Sequence, residues 1–156
     1  MRVILLSVGE TKPLYFKEGE AVYAKRLRQY CRIECRSVPG EALLRSAPAG
    51  LVLRKEADRL LACVPEKGVA VAMDRSGALW SSETLSRRIA DWQLRGIPAL
   101  TFIIGGPIGL HSSVLAAADA VLSLSPMTFT HDMVRLILLE QLYRSFSMMR
   151  GEKYHK

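Results

Sequence analysis

At 156 residues, 49% of them hydrophobic, the chain has the size of one domain, expected to span residues 1–156, and enough apolar side chains to build a real core. A formal net charge of +7 sets up a positive field that favours polyanions such as RNA or an acidic membrane surface, and selects nothing finer. Membrane segments are excluded on length, because residues 3–6 are shorter than a signal-peptide core and the apolar stretch near the C-terminus is broken by Arg135, Glu140, Gln141 and Arg144. A cytoplasmic protein with no membrane partner is expected.

Residues 2–8 read as a strand, a short apolar run closed by Gly9 and a polar turn reaching Pro13. Phe16, Tyr23, Leu27 and Tyr30 then recur at helical spacing, predicting a helix over residues 16–30. Lys25, Arg26, Arg28, Arg32 and Arg36 make the densest basic patch in the chain, suited equally to an RNA track and to a solvated face. Ile33 and Cys35 alternate with Glu34 and Arg36, a half-exposed strand that ends before Pro39. The three cysteines, Cys31, Cys35 and Cys63, form no even disulfide framework and have no nearby His, so reduced thiols acting as small apolar side chains are favoured over a metal site.

Residues 46–50, with Pro48 and Gly50, break a weak helical segment, and Leu53, Ala57, Leu60, Leu61 and Val64 restore a helical stripe. Residues 69–73 are a continuous apolar run, as in a strand buried on both faces. A helix capped by Ser81 or Ser82 follows, with Leu85, Ile89 and Trp92 on one face and Gly96 at its end. Next come a strand at 99–104, a short helix at 112–118, a strand at 120–124 and a long helix at 131–149. Strands alternating with helices predict an α/β fold, a mostly parallel five-stranded sheet flanked by helices. The last helix is apolar over most of its circumference, which calls for burial on more than one side, either by a second copy in a homodimer or by a wholly internal position.

Ligands of open parallel sheets bind beyond the carboxyl ends of the strands, which directs attention to the loops after Met73, Ile104 and Leu124. Gly105-Gly106-Pro107-Ile108-Gly109 matches neither the Walker nor the dinucleotide glycine pattern. By itself it is either a tight strand-to-helix turn or a place where a ligand meets bare backbone.

The strand-GGPxG-helix unit, the segment Leu122-Ser123-Leu124-Ser125-Pro126-Met127-Thr128-Phe129, residues 131–135, Leu142-Tyr143-Arg144 and the closing Tyr154-His155 together resemble the RlmH family of the SPOUT methyltransferases, nearly end to end. The resemblance implies a SPOUT-type fold with a C-terminal trefoil knot, a homodimer, and S-adenosyl-L-methionine (AdoMet) as methyl donor. The implied reaction is methylation of N3 of a pseudouridine in 23S rRNA of the large subunit. The small size of the chain suggests that the assembled large subunit or 70S ribosome is the substrate. Carried over by position, the AdoMet contacts fall on Met73, Gly105, Leu124, Ser125, Pro126, Met127, Thr128 and Phe129, and the tail residues Tyr154 and His155 lie near the target base. Family members often carry an acidic or amide residue where this chain has Ile108, so only backbone contacts carry over there.

Methyl transfer from a sulfonium is an in-line displacement that needs alignment and no metal. A ring imide nitrogen must also lose its proton. His131, at the start of a helix whose dipole disfavours the imidazolium, is a candidate base, with His155 the second; the structural alternatives are a helix-start residue with a hydrogen-bonded ring and a plain tail residue. Arg135 shares a helical face with His131 and is placed to bind a phosphate or the developing anion, and Arg144 less so. His111 has only a structural reading. Two further functions compete: a ribosome-associated RNA-binding protein of the same fold lacking catalysis, and, less well supported without a dinucleotide or Walker pattern, an oxidoreductase or hydrolase on an ordinary doubly wound sheet.

Overall fold

A computed structural model of the chain describes residues 1–41 and 48–154. Most of the weak helical segment read before Pro48 lies outside the described residues, as does His155. The order of elements is β1 (Arg2–Val8), α1 (Leu14–Leu27), β2 (Arg32–Val38), α2 (Ala49–Cys63), β3 (Val69–Leu79), α3 (Ser82–Leu94), β4 (Ala99–Ile104), α4 (Ser112–Ala117), β5 (Ala120–Ser123) and α5 (His131–Met149). All strand pairs are parallel, in the order β2-β1-β4-β3-β5.

That order and the right-handedness of parallel crossovers fix which face each helix covers. The steps β1 to β2 and β3 to β4 run one way along the sheet, so α1 and α3 fall on one face. The steps β2 to β3 and β4 to β5 run the other way and put α2 and α4 opposite. Alternate residues of the central strands serve the two cores. Val3, Leu5, Val71, Leu100 and Phe102 meet Leu27, Ile89, Leu138 and Leu142. Ile4, Leu6, Ala70 and Ile103 meet Ala57, Leu60 and Val114.

Helix α5 lies on the first face between α1 and α3. Among its residues only Met133 is exposed. The approach is close: a Cβ at Gly19 of α1 would lie 2.9 Å from Leu136, and Ser86 Oγ of α3 donates to the Ser145 carbonyl at 3.0 Å. The apolar circumference of α5 is therefore covered largely within the chain, so it does not by itself require a second copy.

Several boundaries differ from expectation: α1 ends three residues early at Leu27, α2 begins at Ala49 within the segment read as a break, α4 and β5 each end one residue early, and two further shifts have a clear cause. Helix α1 starts two residues early, right after Pro13, whose fixed φ suits a helix start. Strand β3 continues past Met73 to Leu79 through an irregularity in its pairing with β5. Asp74 Oδ1 accepts from the Ser76 N–H at 2.9 Å and from Ser76 Oγ at 2.6 Å, where residues 74–77 bulge out of register before pairing resumes at Ala78. Gly77 is obligatory there, because a Cβ would sit 2.6 Å from the backbone of Val121. The end of β3 thus pairs side by side with β5, Ala78 with Leu122 and Leu79 with Ser123.

Candidate active site

The strands are parallel, so the turns after β3, β4 and β5 gather at one end of the sheet. The chain leaves β3 for one face and β4 for the other, which opens a crevice between them. In it lies a cavity of about 390 Å³, within the usual size range of small-molecule sites. Its walls come from Met73, Asp74 and Arg75 at the irregularity within β3, residues 104–109 from the end of β4 into the glycine loop, residues 122–125 and 127–129 from the end of β5 and the loop after it, and His131 and Val134 of α5.

The glycine loop serves its own turn. A Cβ at Gly105 would lie 2.5 Å from the Gly109 carbonyl oxygen, and Gly109 has φ +89°, the left-handed region where glycine is at ease. The Gly109 N–H closes the turn on the Gly106 carbonyl at 3.0 Å. The turn reading of Gly105 and Gly109 is thus sufficient for their identity, and the cavity, not the glycine content, is what points to a ligand.

Of the positions expected to contact a cofactor, Met73, Gly105, Leu124, Ser125, Met127, Thr128 and Phe129 line this cavity, while Pro126 does not. The loop after β5 is held by its own serines: Ser125 Oγ accepts from the Met127 N–H at 3.0 Å, and Ser123 Oγ donates to the Ser125 carbonyl at 2.9 Å. Met127 is left 73% exposed over the opening.

His131 opens α5 one residue after the capping Thr130, whose Oγ1 accepts from the Met133 N–H at 3.4 Å. Its Nε2 stands 3.3 Å from Asp132 Oδ1, and its side chain borders both this cavity and a second one of about 470 Å³ beyond Pro107 and Ile108.

The other expected residues are elsewhere. Arg135 is buried below the site, donating through Nη1 to Thr11 Oγ1 at 2.6 Å and through Nη2 to the carbonyls of Val8 at 3.1 Å and Gly9. Burial pushes its pKa down against the pull of Glu20 and Asp132. It does not line the main cavity, so the geometry gives it the β1–α1 turn to hold rather than a phosphate or a developing anion. Tyr154 folds back onto α1 and α5, its hydroxyl 3.4 Å from Tyr23 and 3.3 Å from Glu140 Oε1, its ring edge-on to Tyr143. The Tyr23 hydroxyl, burial and the Glu140 charge push its phenol pKa up, and its hydroxyl donates to Glu140 Oε1. Arg144 is ion-paired with Glu140. His111 caps α4, its Nδ1 accepting from the Ser113 N–H at 3.1 Å.

Much of the basic patch is engaged locally. Glu34 gathers Arg2, Arg32 and Arg36, and Arg26 lies over the rings of Tyr23 and Tyr143. Among the described residues no group of three or more His, Cys, Asp or Glu is arranged to hold a metal ion, and no helix is long and apolar enough to cross a membrane. Sequence reasoning missed the turn after β1, where Glu10 and Lys12 border the second cavity. The rule that selected the ends of β3, β4 and β5 applies equally to β1 and was the available signal. Nothing in the sequence marks Glu56 of α2, a buried carboxylate that also borders the second cavity.

A family profile described as Predicted SPOUT methyltransferase matches residues 1–155. A protein of Symbiobacterium thermophilum named Ribosomal RNA large subunit methyltransferase H is 46% identical over 161 residues, and one of the same name from Desulfotalea psychrophila is 44% identical over 156; both matches cover all of each chain. Among solved structures, a probable methylase family protein from Haemophilus influenzae Rd KW20 superposes with a TM-score of 0.58 at 13% identity, over 99% of this chain and 70% of that one. A probable methyltransferase from Bordetella pertussis Tohama I gives 0.59 at 11%, over 92% and 95%. These two likenesses bear on the fold alone.

Proposed function

This chain belongs to the SPOUT methyltransferase family, and from that premise we propose that it transfers the methyl group of AdoMet to N3 of a pseudouridine in 23S rRNA of the large ribosomal subunit. The observation that carries the reading is convergence: seven positions drawn from the ends of three separate strands, expected from the resemblance to touch AdoMet, border one cavity. The relatives named ribosomal RNA large subunit methyltransferases match over their full length, which supports the substrate class.

The cavity fits such a cofactor. Met73, Leu122, Leu124 and Val134 offer apolar contact to a flat purine, while Asp74, Ser125 and the loop backbones offer polar partners to a ribose and an amino-acid tail. When bound, AdoMet supplies an electrophilic methyl group on a positively charged sulfur. The protein's part is to hold the acceptor nitrogen in line with that methyl and to exclude water. In this reading His131, which borders both cavities and has Asp132 Oδ1 3.3 Å from its Nε2, takes the N3 proton.

The working unit in this reading is a homodimer. Tyr154 rests against Tyr23, Tyr143 and Glu140 and does not line its own cavity, which is compatible with a tail that acts across a dimer. Leu14 and Tyr15 of α1 and Met133 of α5 are exposed large apolar side chains on two neighbouring helices that start at the cavity end of the sheet, a surface suited to a second copy.

Calorimetry with AdoMet and with NAD tests the proposal. Micromolar AdoMet binding is expected. Affinity for RNA without AdoMet binding would favour the catalytically silent RNA-binding alternative, and selective NAD binding would contradict the family reading.

A further inference from the structure

The second cavity adjoins the first across Pro107, Ile108 and His131, and its inner wall carries Glu56 of α2. Glu56 is only 4% exposed. Its Oε1 accepts from the Glu41 N–H at 2.9 Å, but Oε2 has no hydrogen-bond partner. A carboxylate oxygen withdrawn from water and left unpaired weakens a fold, and is retained where something arrives to donate to it. The surroundings keep it clear of side-chain bulk: two glycines flank the carboxylate, and a Cβ would come within 3.5 Å of Oε2 at Gly106 and within 3.6 Å of Oε1 at Gly40. Asp132 Oδ1 is also without a hydrogen bond, but a ring nitrogen, His131 Nε2, lies 3.3 Å from it. Glu34 Oε1 is likewise without a hydrogen bond but has Arg32 Nε at 3.0 Å, so among the described residues Glu56 Oε2 is the buried carboxylate oxygen with neither a hydrogen bond nor an ion pair.

A group held in this cavity would lie beside the cofactor cavity, where the methyl acceptor has to be. Pseudouridine carries two ring N–H groups on either side of one carbonyl. With N3 presented to the methyl donor, N1–H remains on the flank, and uridine has a non-donating C5–H at the equivalent place. We propose that the second cavity receives the target base and that Glu56 Oε2 accepts its N1–H, so that Glu56 is the residue that distinguishes pseudouridine from uridine. This rests on the proposed methyl transfer to pseudouridine.

The substitution Glu56→Gln is diagnostic because Oε1 is already fixed. The Glu41 N–H retains the amide oxygen, and the amide nitrogen then sits where Oε2 was, turning an acceptor toward the base into a donor. The experiment measures kcat/KM of the full chain on large subunits carrying pseudouridine, uridine or N1-methylpseudouridine at the target position, with AdoMet affinity followed by calorimetry. The wild-type protein is expected to prefer pseudouridine over both other bases by roughly ten- to hundredfold, the usual worth of a hydrogen bond to a charged acceptor. In Glu56→Gln that preference should collapse, through loss on pseudouridine alone, at unchanged AdoMet affinity. The comparison of bases on wild-type protein needs no variant and stands even if Glu56→Gln folds poorly. Equal rates on all three bases, or a preference that survives Glu56→Gln, overturn the assignment while leaving methyl transfer intact. Failure to methylate any of the three substrates despite AdoMet binding overturns the functional reading, and this inference with it.

Discussion

Arg135 Nη1 donates to Thr11 Oγ1 at 2.6 Å across 124 residues of sequence, joining the second turn of α5 to the turn that follows β1. Thr11 Oγ1 in turn donates to Glu20 Oε1 at 2.6 Å, and Arg135 Nη2 takes up the carbonyls of Val8 and Gly9. Removing the guanidinium leaves buried acceptors unpaired, so Arg135→Ala should cost about 3 kcal/mol of stability. Lysine cannot serve three acceptors with one forked group, and Arg135→Lys should recover only part of the loss. Urea unfolding checks both. A variant that kept its stability and lost only turnover would return Arg135 to an anion-binding role.

Gly105→Ala should weaken AdoMet binding at least about tenfold. The new Cβ would meet the Gly109 carbonyl oxygen at 2.5 Å, and backbone gives way poorly, so the turn lining the cavity must shift. Calorimetry on the folded variant reads this directly, and unchanged affinity would mean that the loop does not shape the cofactor site.

His131→Gln should lower kcat by roughly a hundred- to ten-thousandfold, the usual worth of a positioned general base, with AdoMet affinity nearly unchanged. Because the ring borders both cavities, a loss confined to KM would instead mark it as a binding residue.

Cys31 supplies a pH test. Burial pushes its thiol up to about 11, against roughly 8.5 in an unfolded chain. A raised folded pKa contributes stability that is fully present below the unfolded value and is lost as pH rises through the folded one. Folding should therefore weaken between about pH 8.5 and 11, and Cys31→Ala should flatten that limb of the stability profile. Thiol-reactive reagents at pH 8 should modify Cys31 only on unfolding.

Most of the scaffold was legible because its signals are local. Strand β4 and helix α5 have the boundaries expected for them, the strand as an apolar run closed by Gly105. The irregular end of β3 was not, since the bulge at Asp74 is held open by pairing that resumes at Ala78 on β5, a contact between distant segments. In the site, the turns after β3, β4 and β5 could be named from the rule for parallel sheets. Arg135 misled because helical spacing puts it on the His131 face without showing that three acceptors in the β1–α1 turn already hold it. Glu56 was invisible because only the fold reveals that its second oxygen is buried and unpaired. The apolar girth of α5 suggested a partner surface, yet the sheet, α1 and α3 account for nearly all of it.

The central claim is tested most directly by mass spectrometry of 23S rRNA after ribosomes lacking the modification are incubated with this protein and isotopically labelled AdoMet. One labelled methyl group on N3 of a single pseudouridine in the large-subunit RNA is the predicted result. An unlabelled RNA, or label on a different base or atom, would contradict it.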